Sequence, residues 1–431
     1  MEKNKVNFSP EWKNAFLQIL QEELIPAMGC TEPIAIAYGA ACAREVLGAL
    51  PDEILVEASG NLIKNVKSVI VPNTNGLYGI EAAVAVGLIA GRPEKRLEVI
   101  SEVSDQEKKQ IADYLKKACI RVQPAQSGLP FDLLLTMRAG GHCVKLRIAE
   151  NHTNIVLIEK DGVVLQKQDV SLPKPANLTD RSCMSVERIL TFVEQMELET
   201  VEPLIRKQIE MNYAIAEEGI RNPWGANIGS VLLHHNGDDV KNRAKAMAAA
   251  GSDARMSGCE MPVMIVSGSG NQGITASVPV VVYAKELHVS EETMIRAVLL
   301  SDLLTIHLKT GIGRLSAYCG AVSAGCAAGA AIAWLHGGRY EEIAHTLVNA
   351  LAVTSGIVCD GAKSSCAAKI ATAVETGILG YEMFCDGQQF YNGEGIVGKG
   401  VERTIRNIGR LGREGMRETD QEILRIMTGC G

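Results

Sequence analysis

The sequence predicts an α+β protein in which a large, mainly helical domain carries an inserted α/β domain. Two changes of texture and one turn point to this. Helical periodicity gives way near residue 52 to short β-rich runs, and returns for good near residue 183. Between these points "HTNIVLIEKDGVVLQ" reads as a hairpin turning at Lys160-Asp161-Gly162, because Asp-Gly suits the positive φ of a tight turn. The proline-rich "SLPKPANLTD" marks the exit from the insert. Residues 1–50 and 183–431 are therefore assigned to the helical domain, and residues 51–182 to the α/β domain.

The first helix is announced by Trp12, Phe16, Ile19 and Leu20, and Pro26 ends that segment. A second begins in "CTEPIAIAYGAACAREVLG", with Thr31 as N-cap and Pro33 in the first turn. In the insert, "EILVEAS", "KSVIVP", "CVKLRIA", "TNIVLIE" and "GVVLQK" read as strands, with helical patterns near 78–92 and 104–118. Beyond residue 183 the helices are broken by glycine-rich stretches at 267–273, 311–313, 355–362 and 386–399.

Composition narrows the function classes. Hydrophobic residues make up 47% of the chain but aromatics only 4%, and there are 42 glycines, so the core must pack backbones closely around small side chains. The net charge of −7, without a dense basic block, excludes a nucleic-acid footprint. The N-terminal "MEKNKVNFSPEW" has no apolar core of a signal peptide. Residues 315–335 could span a bilayer by length, but their Ala, Gly, Ser and Cys content predicts a buried helix. The twelve scattered cysteines suit reduced thiols, so a cytoplasmic protein without membrane or nucleic-acid partners is expected.

"SGSGNQGITAS" spells Gly268-x-Gly270-x-x-Gly273 after an apolar run, "MPVMIVS". A dinucleotide fingerprint needs a βαβ unit and a helix opening at the glycines. Pro279 and the lack of a parallel-sheet pattern argue against both, and against a nicotinamide oxidoreductase. The loop reads instead as a nest for a small anion, built on Ser267, Gly268, Ser269, Gly270, Asn271 and Gln272. Asn61 and Asn73 stand in glycine-flanked turns that could close over such a site, or serve only as turn residues. Asp253 and Arg255 in "GSDARMSG" could clamp substrate, but a loop ion pair is the default reading.

Four cysteines stand close to glycine-rich breaks: Cys319, Cys326, Cys359 and Cys366. No CxxC pair accompanies them, so buried structural thiols and a metal centre both remain open. Seven residues separate Cys319 from Cys326, about 10 Å along a helix, which suits Cys326 to packing. Cys359 and Cys366 flank "DGAKSS", a loop able to fold back and bring two thiolates together. With Cys319 they could hold an iron–sulfur cubane that leaves one iron open. Cys30, just before a helix N-terminus, could be a thiolate base, a nucleophile, a ligand or a small buried residue.

Taken together, "MGCTEPIAIA", "GSDARMSG", "SGSGNQGITASVPVVV", "RLSAYCGA" and "GIVCDGAKSSCAAKIA" resemble the L-cysteine desulfidase family, itself related to the α chain of iron–sulfur L-serine dehydratases. The resemblance runs from about residue 12 to 428. It implies a helical catalytic domain with a [4Fe-4S] cluster on Cys319, Cys359 and Cys366, and Cys30 as proton acceptor. The implied reaction is α,β-elimination of L-cysteine to sulfide, ammonia and pyruvate, with the glycine loop docking the substrate carboxylate. The gap between the last two ligands is shorter than in serine dehydratases, which favours cysteine over serine. An iron–sulfur L-serine dehydratase is the alternative enzyme, and an iron–sulfur or thiol sensor the alternative without catalysis. A small amino acid is the expected partner, and self-association into a homo-oligomer is left open.

Overall fold

The computed structural model of the chain describes residues 10–129, 131–170, 178–313 and 316–428. Cys430, which could fold back as a further ligand, lies outside them, as does most of the boundary segment at 171–177.

The chain opens with α1 (Pro10–Glu23), β1 (Ile25–Met28) and α2 (Thr31–Leu47). The insert follows as β2 (Glu53–Ala58), α3 (Gly60–Val66), α4 (Gly79–Ala90), α5 (Asp105–Lys117), β3 (Cys119–Pro124), β4 (Asp132–Ala139), β5 (His142–Ala149), β6 (Ile155–Lys160) and β7 (Val163–Lys167). These five-to-eight-residue strands form one sheet in the order β3-β2-β4-β5-β6-β7. β2 runs parallel to β3 and antiparallel to β4, and the rest of the sheet is a meander. The β6–β7 hairpin turns at Asp161 and Gly162, both at positive φ, as the Asp-Gly pair predicts. "KSVIVP" forms no strand and contributes only an isolated bridge between Ile70 and Tyr78. Strands β3 and β4 went unread, since charge and proline in "CIRVQP" and a continuous apolar run in "DLLLTM" blur the alternation.

The rest is helical: α6 (Val186–Gln195), α7 (Glu202–Arg221), α8 (Ile228–Asn236), α9 (Val240–Met256), then the short strand β8 (Pro262–Ile265), α10 (Gly270–Glu286), α11 (Glu291–Thr310), α12 (Gly320–Leu335), α13 (Tyr340–Thr354), α14 (Ser365–Cys385), α15 (Val401–Arg410) and α16 (Arg417–Thr428). The α+β class, helix-rich with an α/β insert, is what the sequence predicts. Among the described residues no helix is long and apolar enough to cross a membrane. Within the apolar stretch 315–335, Gly320–Leu335 forms α12, whose side chains from Ala321 to Ala333 are buried.

Two cores divide the first fifty residues differently from the sequence expectation. Trp12, Phe16, Ile19 and Ala27 of α1 and β1 join the helical core. Ile34, Ile36, Ala40 and Leu47 of α2 pack with the sheet and α4. The segment Gly29-Cys30, where the chain passes from one core to the other, is the part that enters the site described next.

The glycine loop also departs from expectation. β8 precedes it and α10 does open at Gly270, with Pro279 tolerated inside the helix. A strand–loop–helix is therefore present. β8 pairs antiparallel with β1 in a two-stranded ribbon, so the βαβ unit of a dinucleotide fold is absent for a reason of topology, not because the helix is missing.

Candidate active site

Four helices begin at one cavity. Cys30 is the N-cap of α2, Ser269 of α10, Cys319 of α12 and Ser364 of α14, and none of the four makes a side-chain cap bond. Helix starts leave N–H groups without intrahelical partners and carry partial positive charge, so their convergence favours an anion. Thr31 is thus the first helical residue and not the N-cap, a shift of one position that puts the Cys30 thiol at the helix start.

The cavity is lined by Cys30, Cys319, Cys359 and Cys366, by Asn61, Gly268, Ser269, Asn271 and Gln272, and by Glu32, Lys64, Arg255 and Lys309. The space between its walls, open solvent at the mouth included, is about 780 Å³.

The cysteines arrive by distinct local devices. An isolated antiparallel bridge joins Tyr318 to Val358; Cys319 N–H donates to Ile357 O at 3.1 Å and Cys359 N–H to Ala317 O at 2.6 Å. That clamp sets Cys319 and Cys359 side by side. The loop after Cys359 folds back through Gly361, at φ +97°, into the first turn of α14, which carries Cys366. Asp360 steadies the loop by ion pairs to Lys363 (2.5 Å) and Lys369. Burial works to raise its carboxyl, yet the two lysines hold it down at about 2. Cys326 is fully buried in α12 against Thr354 and away from the cavity.

Among the described residues no three His, Cys, Asp or Glu side chains converge as they would on a single ion. Cys319, Cys359 and Cys366 do, however, line one cavity, and three thiols are a donor set of the kind an iron–sulfur group takes. Their donor chemistry fits such a group. Burial pushes Cys319 up to about 12, and Cys359 beside it adds to the rise, while the Ala321 N–H opposes it. Burial also raises Cys366. Without a metal, Cys319 and Cys366 remain protonated at neutral pH; binding one would couple to loss of their protons.

Burial reverses one expectation. Cys30 is 2% exposed, and desolvation pushes its thiol up to about 12 against the pull of Arg255. The helix start was expected to favour the thiolate, but a partial charge of about half an electron does not offset complete removal from water. Its Sγ sits 3.8 Å from Met256 Sδ.

The glycine loop contributes unevenly. Gly268, Ser269, Asn271 and Gln272 line the cavity. Gly270 is required by packing, since a Cβ there would fall 2.3 Å from Arg255 Nε. Ser267, at φ +50°, lies on a neighbouring cavity that it shares with Arg181 and Lys309. Asn61 lies in the first turn of α3, not in a loop, and reaches the cavity. Asn73 does not. Its Nδ2 donates to Ile100 O at 2.7 Å in a turn at φ +60°, the ordinary turn role.

Three cations were missed or misread. Asp253 and Arg255 form no loop pair: both lie in α9, where Asp253 accepts from the N–H groups of Ala226 and Ile228. Arg255 points the other way, donating to Gly29 O at 3.0 Å and Asn271 Oδ1 at 3.1 Å, with no carboxylate partner among the described residues. Lys309 is 4% exposed, and burial pushes its ammonium down to about 8 against the pull of Cys359 and Cys319. Lys64 is buried and paired to Asp420 at 2.5 Å. The available signal was a lysine inside an apolar helix, "LLTIHLKT".

Comparison with known proteins places this cavity in a lineage. The chain matches the serine dehydratase alpha chain family over residues 94–425. It belongs to that family. It is similar to a UPF0597 protein of Desulfitobacterium hafniense, 61% identical over 412 residues and 96% of each chain. A UPF0597 protein of Lachnoclostridium phytofermentans is 50% identical over 411 residues, 95% of this chain and 98% of that one. One of Treponema denticola is 48% identical over 418 residues, 96% of this chain and 97% of that one. Membership of the serine dehydratase alpha chain family makes the protein a dehydratase- or lyase-like enzyme. The residues that line this cavity come from distant parts of the chain: Cys30 and Lys64 near the start, Arg255 and Gln272 in the middle, Cys319 to Cys366 later.

Proposed function

We propose that this enzyme is an L-cysteine desulfidase, converting L-cysteine and water to sulfide, ammonia and pyruvate. One observation carries the reading: Cys319, Cys359 and Cys366 share a single cavity with Arg255, which has no carboxylate partner among the described residues, and with the start of α10. A [4Fe-4S] cluster held by those three thiolates would keep one iron open, and when bound it supplies a Lewis-acidic position for the leaving sulfur. Arg255 and the first-turn N–H groups of α10 receive the substrate carboxylate. Cys30 is the proton acceptor for the Cα proton once its own proton has left, and Arg255 is the neighbour that favours that anion against the burial that raises the thiol. Proton removal at Cα places an electron pair that forms the Cα–Cβ double bond as the Cβ–S bond breaks and sulfide departs. The aminoacrylate tautomerises to its imine, and water releases ammonia and pyruvate. Burial of the cavity protects the carbanion-like state from protonation by solvent.

The rival is the same elimination with hydroxide leaving from L-serine, which the family's description favours. Anaerobically purified protein decides between them. The expected result is a brown iron–sulfur protein that releases sulfide from cysteine with a higher kcat/KM than it shows for serine. Cys319→Ala, Cys359→Ala and Cys366→Ala lose the colour and the activity together, whereas Cys326→Ala keeps both. A preference for serine overturns the substrate, and an active colourless protein overturns the cofactor.

A further inference from the structure

The polar lining of the cavity is divided by chemistry. Arg255, Lys309 and the start of α10 can only donate. Glu32, Asn61 and Gln272 bring acceptors to the same cavity. Gln272 is the most informative of these. Its sequence context suggested a donor to an anion, but in the structure its Nε2 donates to Ser267 O at 3.4 Å. With the amide so oriented, Oε1 is buried without a partner among the described residues, in a side chain 3% exposed. Asn61 Oδ1 is likewise buried and without a partner among the described residues. The carboxylate of Glu32 accepts from Asn65 Nδ2 at 2.8 Å and Thr31 Oγ1 at 3.0 Å, adding a negative charge to this lining.

Buried acceptors without partners are costly to maintain and mark places where a donor is expected to arrive. The position of Gln272 is also protected by its surroundings. A Cβ at Gly320, the residue after Cys319, would fall 2.8 Å from Gln272 Oε1, so the amide needs glycine there. A cationic donor of the size of an ammonium suits two neutral carbonyl oxygens and one carboxylate, and a second anion does not.

We propose that Gln272 Oε1 is the acceptor for the α-ammonium group of the substrate, assisted by Asn61 Oδ1 and the charge of Glu32. It makes the site select α-amino acids over the matching deaminated acids. The inference rests on the reading of this cavity as an amino-acid site, but not on which group leaves from Cβ.

The test is equilibrium binding of two ligands that cannot react, L-alanine and propionate, to the anaerobically purified holoenzyme. The intact enzyme is expected to bind alanine at least about tenfold more tightly than propionate. In Gln272→Met, alanine affinity falls by about tenfold while propionate is unchanged, the loss expected for one hydrogen bond to a charged group. Gln272→Glu, which keeps an acceptor at the same reach, retains the discrimination. Equal binding of the two ligands by the intact enzyme, or an equal loss of both in Gln272→Met, overturns the proposal. Absent sulfide release with discrimination intact would overturn the desulfidase reading and leave this one standing.

Discussion

Asp302 sits on α11 with Gln208 Nε2 donating to Oδ1 at 2.8 Å and no hydrogen-bond partner at Oδ2 among the described residues. Burial pushes its carboxyl up from an ordinary 3.8 to about 8. The folded protein therefore keeps this proton at a pH where the unfolded chain has lost it. The stabilising contribution is complete below 3.8 and disappears as pH rises toward 8, at up to about 1.4 kcal/mol per pH unit. Asp302→Asn is expected to flatten that part of the stability profile and to be more stable than the parent at pH 7. Urea titrations at several pH values would measure it, and an unchanged slope would refute it. Cys30 obeys the same rule, because full burial outweighs a helix start. The sequence identified its position but could not supply its solvent exposure.

At the scale of helices, small residues set the packing distance. A Cβ on Gly329 of α12 would fall 2.2 Å from Gly377 O of α14, and one on Gly325 would fall 2.5 Å from Ala373 C. These two helices carry Cys319 and Cys366 at their starts, so their separation fixes the width of the cavity between them. Gly329→Ala is expected to cost about 1–3 kcal/mol through overpacking. Gly356→Ala meets no atom within 4 Å and should be nearly neutral. Urea midpoints of the two variants provide the comparison, and equal midpoints would show that the helices separate without cost. The abundance of Gly and Ala made close packing legible in the sequence. Which glycines face which helix was not, because each contact joins residues about fifty positions apart.

Across the whole molecule, α16, from the far end of the chain, packs on α3 beside the site. Lys64 Nζ on α3 pairs with Asp420 on α16, and Leu424 fills the space over Gly60. Asp420→Ala would leave the Lys64 ammonium buried without its counter-charge, at a cost of about 3–5 kcal/mol. Adding Lys64→Met should recover most of that loss, since a buried pair replaced by apolar groups is often neutral. Denaturant unfolding of the single and double variants tests the coupling. Additive losses would show that the pair does not act as a unit.

The sequence by itself determined the fold class, the position of Cys30 just before a helix start and the resemblance that drew Cys30, Cys319, Cys359 and Cys366 into one hypothesis. Those features are local: periodicity, punctuation by Gly and Pro, and short motifs. The tertiary structure decided that α2 packs with the sheet and that Asn73 stays in its turn. It also turned Arg255, Lys309 and the carbonyl of Gln272 toward the same cavity. Burial and orientation depend on contacts between distant segments, so no reading of neighbouring residues contains them.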